Sequence, residues 1–152
     1  MEALLAYKQL LKAYCEEVIL QRIASSRSAM DSAQEAANQE EKSSAGDKYE
    51  TSRAMSHLEK DMHARQLVAH QQELNALRAI NSQAICTVPG PGAVIRCSSV
   101  TFFIAAGLGK QMVNQETIIF LSPQSPIARQ LMQQKVGDEI EFKGRTTIRQ
   151  IF

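Results

Sequence analysis

Tryptophan is absent from this 152-residue chain and aromatic residues make up only 5% of it, which argues against a large enzyme fold built around aromatic side chains. Long apolar runs are missing too. The opening Met1-Glu2-Ala3-Leu4-Leu5 has neither a basic lead nor a long apolar stretch ending in small residues, so no secretory signal or membrane span is visible and a cytoplasmic location is expected. Cys15, Cys86 and Cys97 are odd in number and share no close ligand spacing. That excludes a disulfide framework and a zinc finger or ribbon, and leaves reduced, structural thiols. A net charge of +1 lacks the strongly basic footprint of a protein that binds nucleic acid mainly through phosphates.

The charge is distributed unevenly. Residues 1–85 carry ten Lys/Arg against twelve Asp/Glu, and residues 86–152 carry seven against four. Neither Gly nor Pro interrupts Met1 to Ala37, where Leu4, Tyr7, Leu11, Tyr14 and Val18 recur at alternating intervals of three and four. That spacing predicts a coiled-coil seam on a first helix. Past Ile23 the seam thins to Met30, Ala33 and Ala37, and Glu40-Glu41-Lys42-Ser43-Ser44-Ala45-Gly46 reads as a solvated turn. A second helix is expected with Asp47 at its N-cap and Glu50 at the capping-box position. Met55, Leu58, Met62, Leu67, Val68, Leu74 and Leu77 are expected to face helix one, with a phase shift near Arg65. The two helices form an antiparallel hairpin over residues 1–85. Helix over residues 50–78 gives an arm of roughly 40 Å.

Val88-Pro89-Gly90-Pro91-Gly92 ends helical periodicity, because proline lacks an amide donor and glycine weakens a helix. Five strands are predicted after it, at 93–97, 100–106, 117–121, 139–143 and 146–152. Ser125 and Pro126 start a short helix that carries Ile127, Leu131 and Met132 inward until Gly137 stops it. The fold class is therefore α+β, a hairpin followed by a small β-rich domain at 86–152 with one short helix. Phe102, Phe103, Phe120, Phe142 and Phe152 are assigned to its core, and Lys110, Arg129, Lys135, Lys143, Arg145 and Arg149 to its positive surface.

Two of these segments resemble the Gre (GreA/GreB) family of bacterial transcript cleavage factors. Gly46-Asp47-Lys48-Tyr49-Glu50 is similar to the family's Gly-Asp-x-x-Glu tip. Ser125-Pro126-Ile127-Ala128-Arg129-Gln130-Leu131-Met132, followed by Lys135-Val136-Gly137-Asp138-Glu139-Ile140-Glu141, resembles its C-terminal signature. Order and spacing agree over most of the chain. The tip departs after Glu50, where Thr51-Ser52-Arg53-Ala54 stands in place of the usual Asn-Ala-Glu-Tyr, and Ala105-Ala106-Gly107-Leu108-Gly109-Lys110 replaces a more acidic strand and loop. The resemblance implies an FKBP-like second domain and a transcription elongation factor that binds RNA polymerase. In that reading the hairpin tip enters the secondary channel and stimulates Mg²⁺-dependent cleavage of backtracked RNA.

On this resemblance Asp47 and Glu50 are the catalytic carboxylates and the metal ligands, acting only within the polymerase complex. Gly46, Lys48 and Tyr49 are the tip's further contacts with the polymerase active site. Two carboxylates alone hold Mg²⁺ weakly, so the ion is shared with polymerase acids and RNA phosphate, and the isolated chain holds none. The nascent RNA 3′ end is met indirectly, no membrane is involved, and the chain is expected to be monomeric and not itself an enzyme. An Asp-x-x-Glu pair is equally the start of an ordinary helix. His57, His63 and His70, six and seven residues apart, lack the spacing of a helical metal pair and are placed on the surface. Three alternatives stay open: a polymerase-binding regulator or inhibitor without cleavage activity, a coiled-coil adaptor, and, least favoured for want of an aromatic-lined pocket, a peptidyl-prolyl isomerase.

Overall fold

A computed structural model of the chain describes residues 2–41 and 46–152, with side chains described outside residues 40–49. The elements are α1 (Glu2–Glu41), α2 (Gly46–Ala79), β1 (Val94–Cys97), β2 (Thr101–Ile104), β3 (Gly109–Val113), β4 (Glu116–Leu121), α3 (Pro126–Leu131), β5 (Glu139–Glu141) and β6 (Arg145–Ile151). This is the expected α+β architecture of two long helices followed by a β-rich domain with one short helix. The chain divides into two compact units, Met1–Glu17 with Asn75–Phe152, and Val18–Leu74. The first unit takes in the first turns of α1, whose Tyr7 and Tyr14 pack with the sheet.

In the first unit six strands form one sheet in the order β3-β4-β2-β1-β6-β5. The β2–β4 pair is parallel and the other neighbours are antiparallel. Alternate residues serve opposite faces. Ile95, Phe102, Ile104, Ile119, Leu121 and Ile148 meet Ala128 and Leu131 of α3 in one core cluster. On the opposite face the Tyr14 ring stacks on Phe120 at 5.6 Å, Tyr7 meets Phe152 at 6.0 Å, and Phe103 meets Phe120 at 6.0 Å. Both faces are thus covered, which is why β2 and most of β4 read as unbroken apolar runs rather than alternating ones.

The observed roles of Tyr7 and Tyr14 correct the predicted helix-one seam. Their spacing matches a heptad, but each ring faces the sheet and each hydroxyl donates there, Tyr7 to Glu116 Oε2 at 2.9 Å and Tyr14 to Gln111 Oε1 at 2.8 Å. Leu11 is buried as expected, and Lys8, Cys15, Ile19, Ile23, Ser26, Ala33 and Ala37 are the other buried positions along α1 among the described residues. Tyrosine carries a polar end, so it suits a face that offers an acceptor better than a dry helix–helix seam.

The sixth strand, β3, went unpredicted because it is a polar edge: Gly109, Lys110 and Met112 are exposed. Its hairpin to β4 turns through Asn114 and Gln115, at φ 49° and 67°. A two-residue turn with both φ values positive matches the right-handed strand twist. Gly92 also requires its glycine: φ is +88°, and a Cβ there would sit 2.9 Å from Ile80 Cγ2.

In the second unit, Lys60 Nζ donates to Gln34 Oε1 at 2.5 Å, and Arg22 and Ser25 line a pocket with Gln66 and His70. Rising numbers on one helix meet falling numbers on the other, so the pair is antiparallel. The expected apolar face of α2 holds in this unit at Leu67 and Leu74 and fails at the other four positions. Met55, Leu58, Met62 and Val68 are 59%, 68%, 47% and 52% exposed. The inward positions are Ser56, Lys60, His63, Leu67 and His70, all half-buried, and buried Leu74, an unbroken alternation of four and three. The helix keeps that frame throughout, so the apolar residues lying in the other phase turn to solvent.

Candidate functional site

The tip segment stands where the fold places the start of the second long helix. α1 extends to Glu41 and α2 begins at Gly46. Asp47 therefore lies inside the first turn of α2 rather than at its cap, and Glu50 lies one turn further along. A cap preference states which residue serves best at a helix end, but the end itself shifts by a residue or two with the turn before it. Glu50 is exposed. The side chains of Asp47, Lys48 and Tyr49, with Gly46, fall outside the described side chains, and so does any capping bond they make.

Positions three apart on a helix lie on one side of it, and residues 47 and 50 of α2 stand in that relation. Among the described residues no group of three His, Cys, Asp or Glu side chains gathers to hold a metal ion. The carboxylate oxygens at the tip are hard ligands of the kind Mg²⁺ takes, but two are too few to complete its coordination.

The C-terminal signature does structural work. Ser125 caps α3, its Oγ accepting from Ala128 N at 3.2 Å and donating to Ser122 O at 2.8 Å, while Pro126 supplies a first helical residue that needs no amide partner. Ala128 and Leu131 enter the core. Asp138 Oδ2 then accepts from Lys135 N at 2.9 Å, and Gly137 adopts φ +96° in the same turn. The segment is thus a cap, a core contact and a turn.

Other assignments shift. His57 is exposed, but His63 and His70 are half-buried at inward positions of α2, where His63 Nδ1 lies 3.2 Å from Gln66 Oε1 and His70 Nδ1 3.7 Å from Glu73 Oε2. Phe102, Phe103, Phe120 and Phe152 are buried as assigned, and Phe142 packs edge-on against Phe102 at 5.1 Å. Arg145 is 82% exposed, with Glu139 at 3.9 Å, and such a surface pair contributes about 0–1 kcal/mol.

Sequence reasoning missed the polar groups that fix the base of α1 in the first unit. Lys12 Nζ donates to Ile80 O at 2.6 Å and Lys8 Nζ to Ala84 O at 2.7 Å, so two ammonium groups satisfy carbonyls just beyond α2. Arg96 lies 4.6 Å above the Tyr7 ring and 5.0 Å above Phe152. Burial, reinforced by the Glu116 carboxylate, pushes the Tyr7 hydroxyl up to about 12. A lysine one residue past an apolar seam position was the available signal for Lys8 and Lys12.

The fold and tip define a two-helix hairpin protein with a mixed-sheet domain and an exposed carboxylate at the start of its second helix. Neither protein-family profiles nor curated proteins match the sequence. Among solved structures, one described as the structure of the transcription factor Gfh1 is similar at a TM-score of 0.38 and 19% identity, over 88% of this chain and 89% of that one. At this degree of likeness the functional reading rests on the residues of this chain. Among the described residues, no helix is long and apolar enough to cross a membrane.

Proposed function

We propose that this chain is a Gre-type transcription elongation factor that binds RNA polymerase, extends its hairpin tip through the secondary channel and stimulates Mg²⁺-dependent cleavage of backtracked RNA. The observation that carries the reading is the coincidence of Gly46-Asp47-x-x-Glu50 with the start of the second helix of a hairpin, upstream of a Ser125-capped helix and a Gly137 turn of the family's pattern. Asp47 and Glu50 would be ligands to an ion that the polymerase acids and the RNA phosphate also hold. When bound, that ion supplies a polarised phosphate oxygen and an activated water. The chain's own contribution is charge and position: two carboxylates on one helical side, held at the end of an antiparallel helix pair. It acts as a monomeric accessory factor, and the enzyme is the polymerase.

The test uses stalled, backtracked elongation complexes with the full chain. Addition of wild type is expected to release short 3′ RNA fragments, and Asp47→Asn or Glu50→Gln to lower that rate by at least about 10- to 100-fold, the loss that even the outer-shell partners of a metal produce. Equal inertness of wild type and both variants would sink the cleavage reading. Polymerase binding together with slowed transcription would establish instead the inhibitor, a reading that the departure at Thr51-Ser52-Arg53-Ala54 keeps open. The adaptor reading draws on the exposed Met55, Leu58 and Met62 of α2, and a stable dimer by light scattering is the result that would support it.

A further inference from the structure

Lys8 exposes none of its surface. Charged side chains are almost never buried so completely without an ionic partner, yet Lys8 has no carboxylate partner among the described residues. Its Nζ donates to the Ala84 carbonyl at 2.7 Å and approaches Cys86 Sγ at 3.6 Å. Lys8 is held by α1 and Cys86 by the segment after α2, and both belong to the same compact unit. The separation of nitrogen from sulfur is close to the 3–3.5 Å at which bound groups react.

The three thiols are not equivalent. Cys15 is fully buried in α1, and Cys97 packs against the sheet core. Burial pushes these two up to about 12 and about 11, away from the reactive thiolate. Cys86 is half-buried, and of the three thiols it is the one that the Lys8 nitrogen faces.

We propose that Cys86 and Lys8 form a peroxide-responsive modification site, in which oxidised Cys86 is captured by the Lys8 amine as a sulfur–nitrogen bond. The oxidant is a hydroperoxide. In the first step the Cys86 sulfur attacks peroxide, the O–O bond breaks, and the products are a sulfenic acid and water. The sulfur is oxidised by two electrons and the peroxide is reduced by two. In the second step the Lys8 nitrogen, having released its ammonium proton to water, attacks the sulfur, the S–O bond breaks, and hydroxide leaves as water with a proton from the amine. Condensation of a sulfenic acid with a nitrogen is a known branch of this chemistry, and a thiol reductant reverses it. The bond ties α1 to the chain beyond α2.

The experiment treats the folded full chain with hydrogen peroxide, digests it and sequences the peptides by mass spectrometry. The expected product is the Lys8 peptide joined to the Cys86 peptide, lighter than their sum by two hydrogens and separated again by dithiothreitol. Alkylation of Cys86 is lost on oxidation and regained on reduction, while Cys15 and Cys97 are unchanged. Cys86→Ser abolishes the joined peptide. Lys8→Arg, which keeps the cation but not the nucleophile, leaves a sulfenic acid at position 86 that dimedone traps. Recovery of wild-type Cys86 as free thiol, disulfide, sulfinic acid or sulfonic acid, with the Lys8 peptide unlinked, overturns the proposal. Because that readout is taken on wild type, it holds whether or not Lys8→Arg folds.

Discussion

Tyr7 combines a ring against Phe152, a guanidinium above it and a hydroxyl donating to Glu116. Its pKa of about 12 stands above the ordinary 10.0, and that of buried Cys15, also about 12, stands above 9.0. Both groups hold their protons more tightly folded than unfolded. Their contribution is therefore fully present below the unfolded values and is lost as pH rises from about 9 towards 12. Urea titrations are expected to show the midpoint falling through that window. In Tyr7→Phe the loss above pH 10 is smaller, by a modest margin since Tyr7 is only half-buried. Gly92→Ala is expected to destabilise by more than about 1 kcal/mol, because the new side chain meets both a positive φ and the Ile80 methyl. Ser125→Ala, which removes the cap of α3, should cost about 1 kcal/mol. A cap, a glycine and a proline act through neighbours in sequence, so α3 and its turn were legible from Ser125, Pro126 and Gly137. The carbonyl partners of Lys8 and Lys12 lie 76 and 68 residues away, Arg96 of β1 meets the Tyr7 ring of α1, and nothing local announces them.

On the scale of elements, α2 gives the sharpest contrast between hydrophobicity and position. Leu67→Ala and Leu74→Ala, at inward positions, are expected to cost about 2–4 kcal/mol. Leu58→Gln and Met62→Gln, at positions 68% and 47% exposed, are expected to stay within about 0.5 kcal/mol. Denaturation of the four variants checks the observed helix phase directly; large losses at Leu58 and Met62 would restore the phase that composition predicted. The misreading has a physical source. Ser56, Lys60 and His63 are inward residues that hydropathy ranks as outward, and the small Ser26, Ala33 and Ala37 on α1 leave room for their stems. The β3–β4 hairpin offers a second test. Gln115→Gly should stabilise by about 0.5–1 kcal/mol, since glycine adopts φ 67° without the Cβ penalty.

For the molecule as a whole, the two compact units rest on different interiors. The first encloses the sheet between aromatic and branched side chains on both faces, and the second has few large apolar residues at its inward positions. Amide hydrogen exchange is expected to be slowest in β1, β2 and β4 and faster through 18–74, where local opening exposes less apolar surface. Equal protection in both would contradict this. The α+β class and the helix pair were legible because breakers and periodicity mark them at Gly46 and at Pro89 to Gly92. The limits of the units were not, because Leu11 and Tyr14 look alike to a heptad and only the sheet tells them apart.

The covering of the second sheet face by α1 bears on how this protein can be cut. A fragment beginning at residue 86 would bare Val94, Phe103, Phe120 and Phe152 at once, an oily surface prone to clumping. Appending residues 2–17 through a short linker would restore its lid. The portable part of this molecule is thus assembled from both ends of its sequence, and whoever grafts it elsewhere must carry the two pieces together.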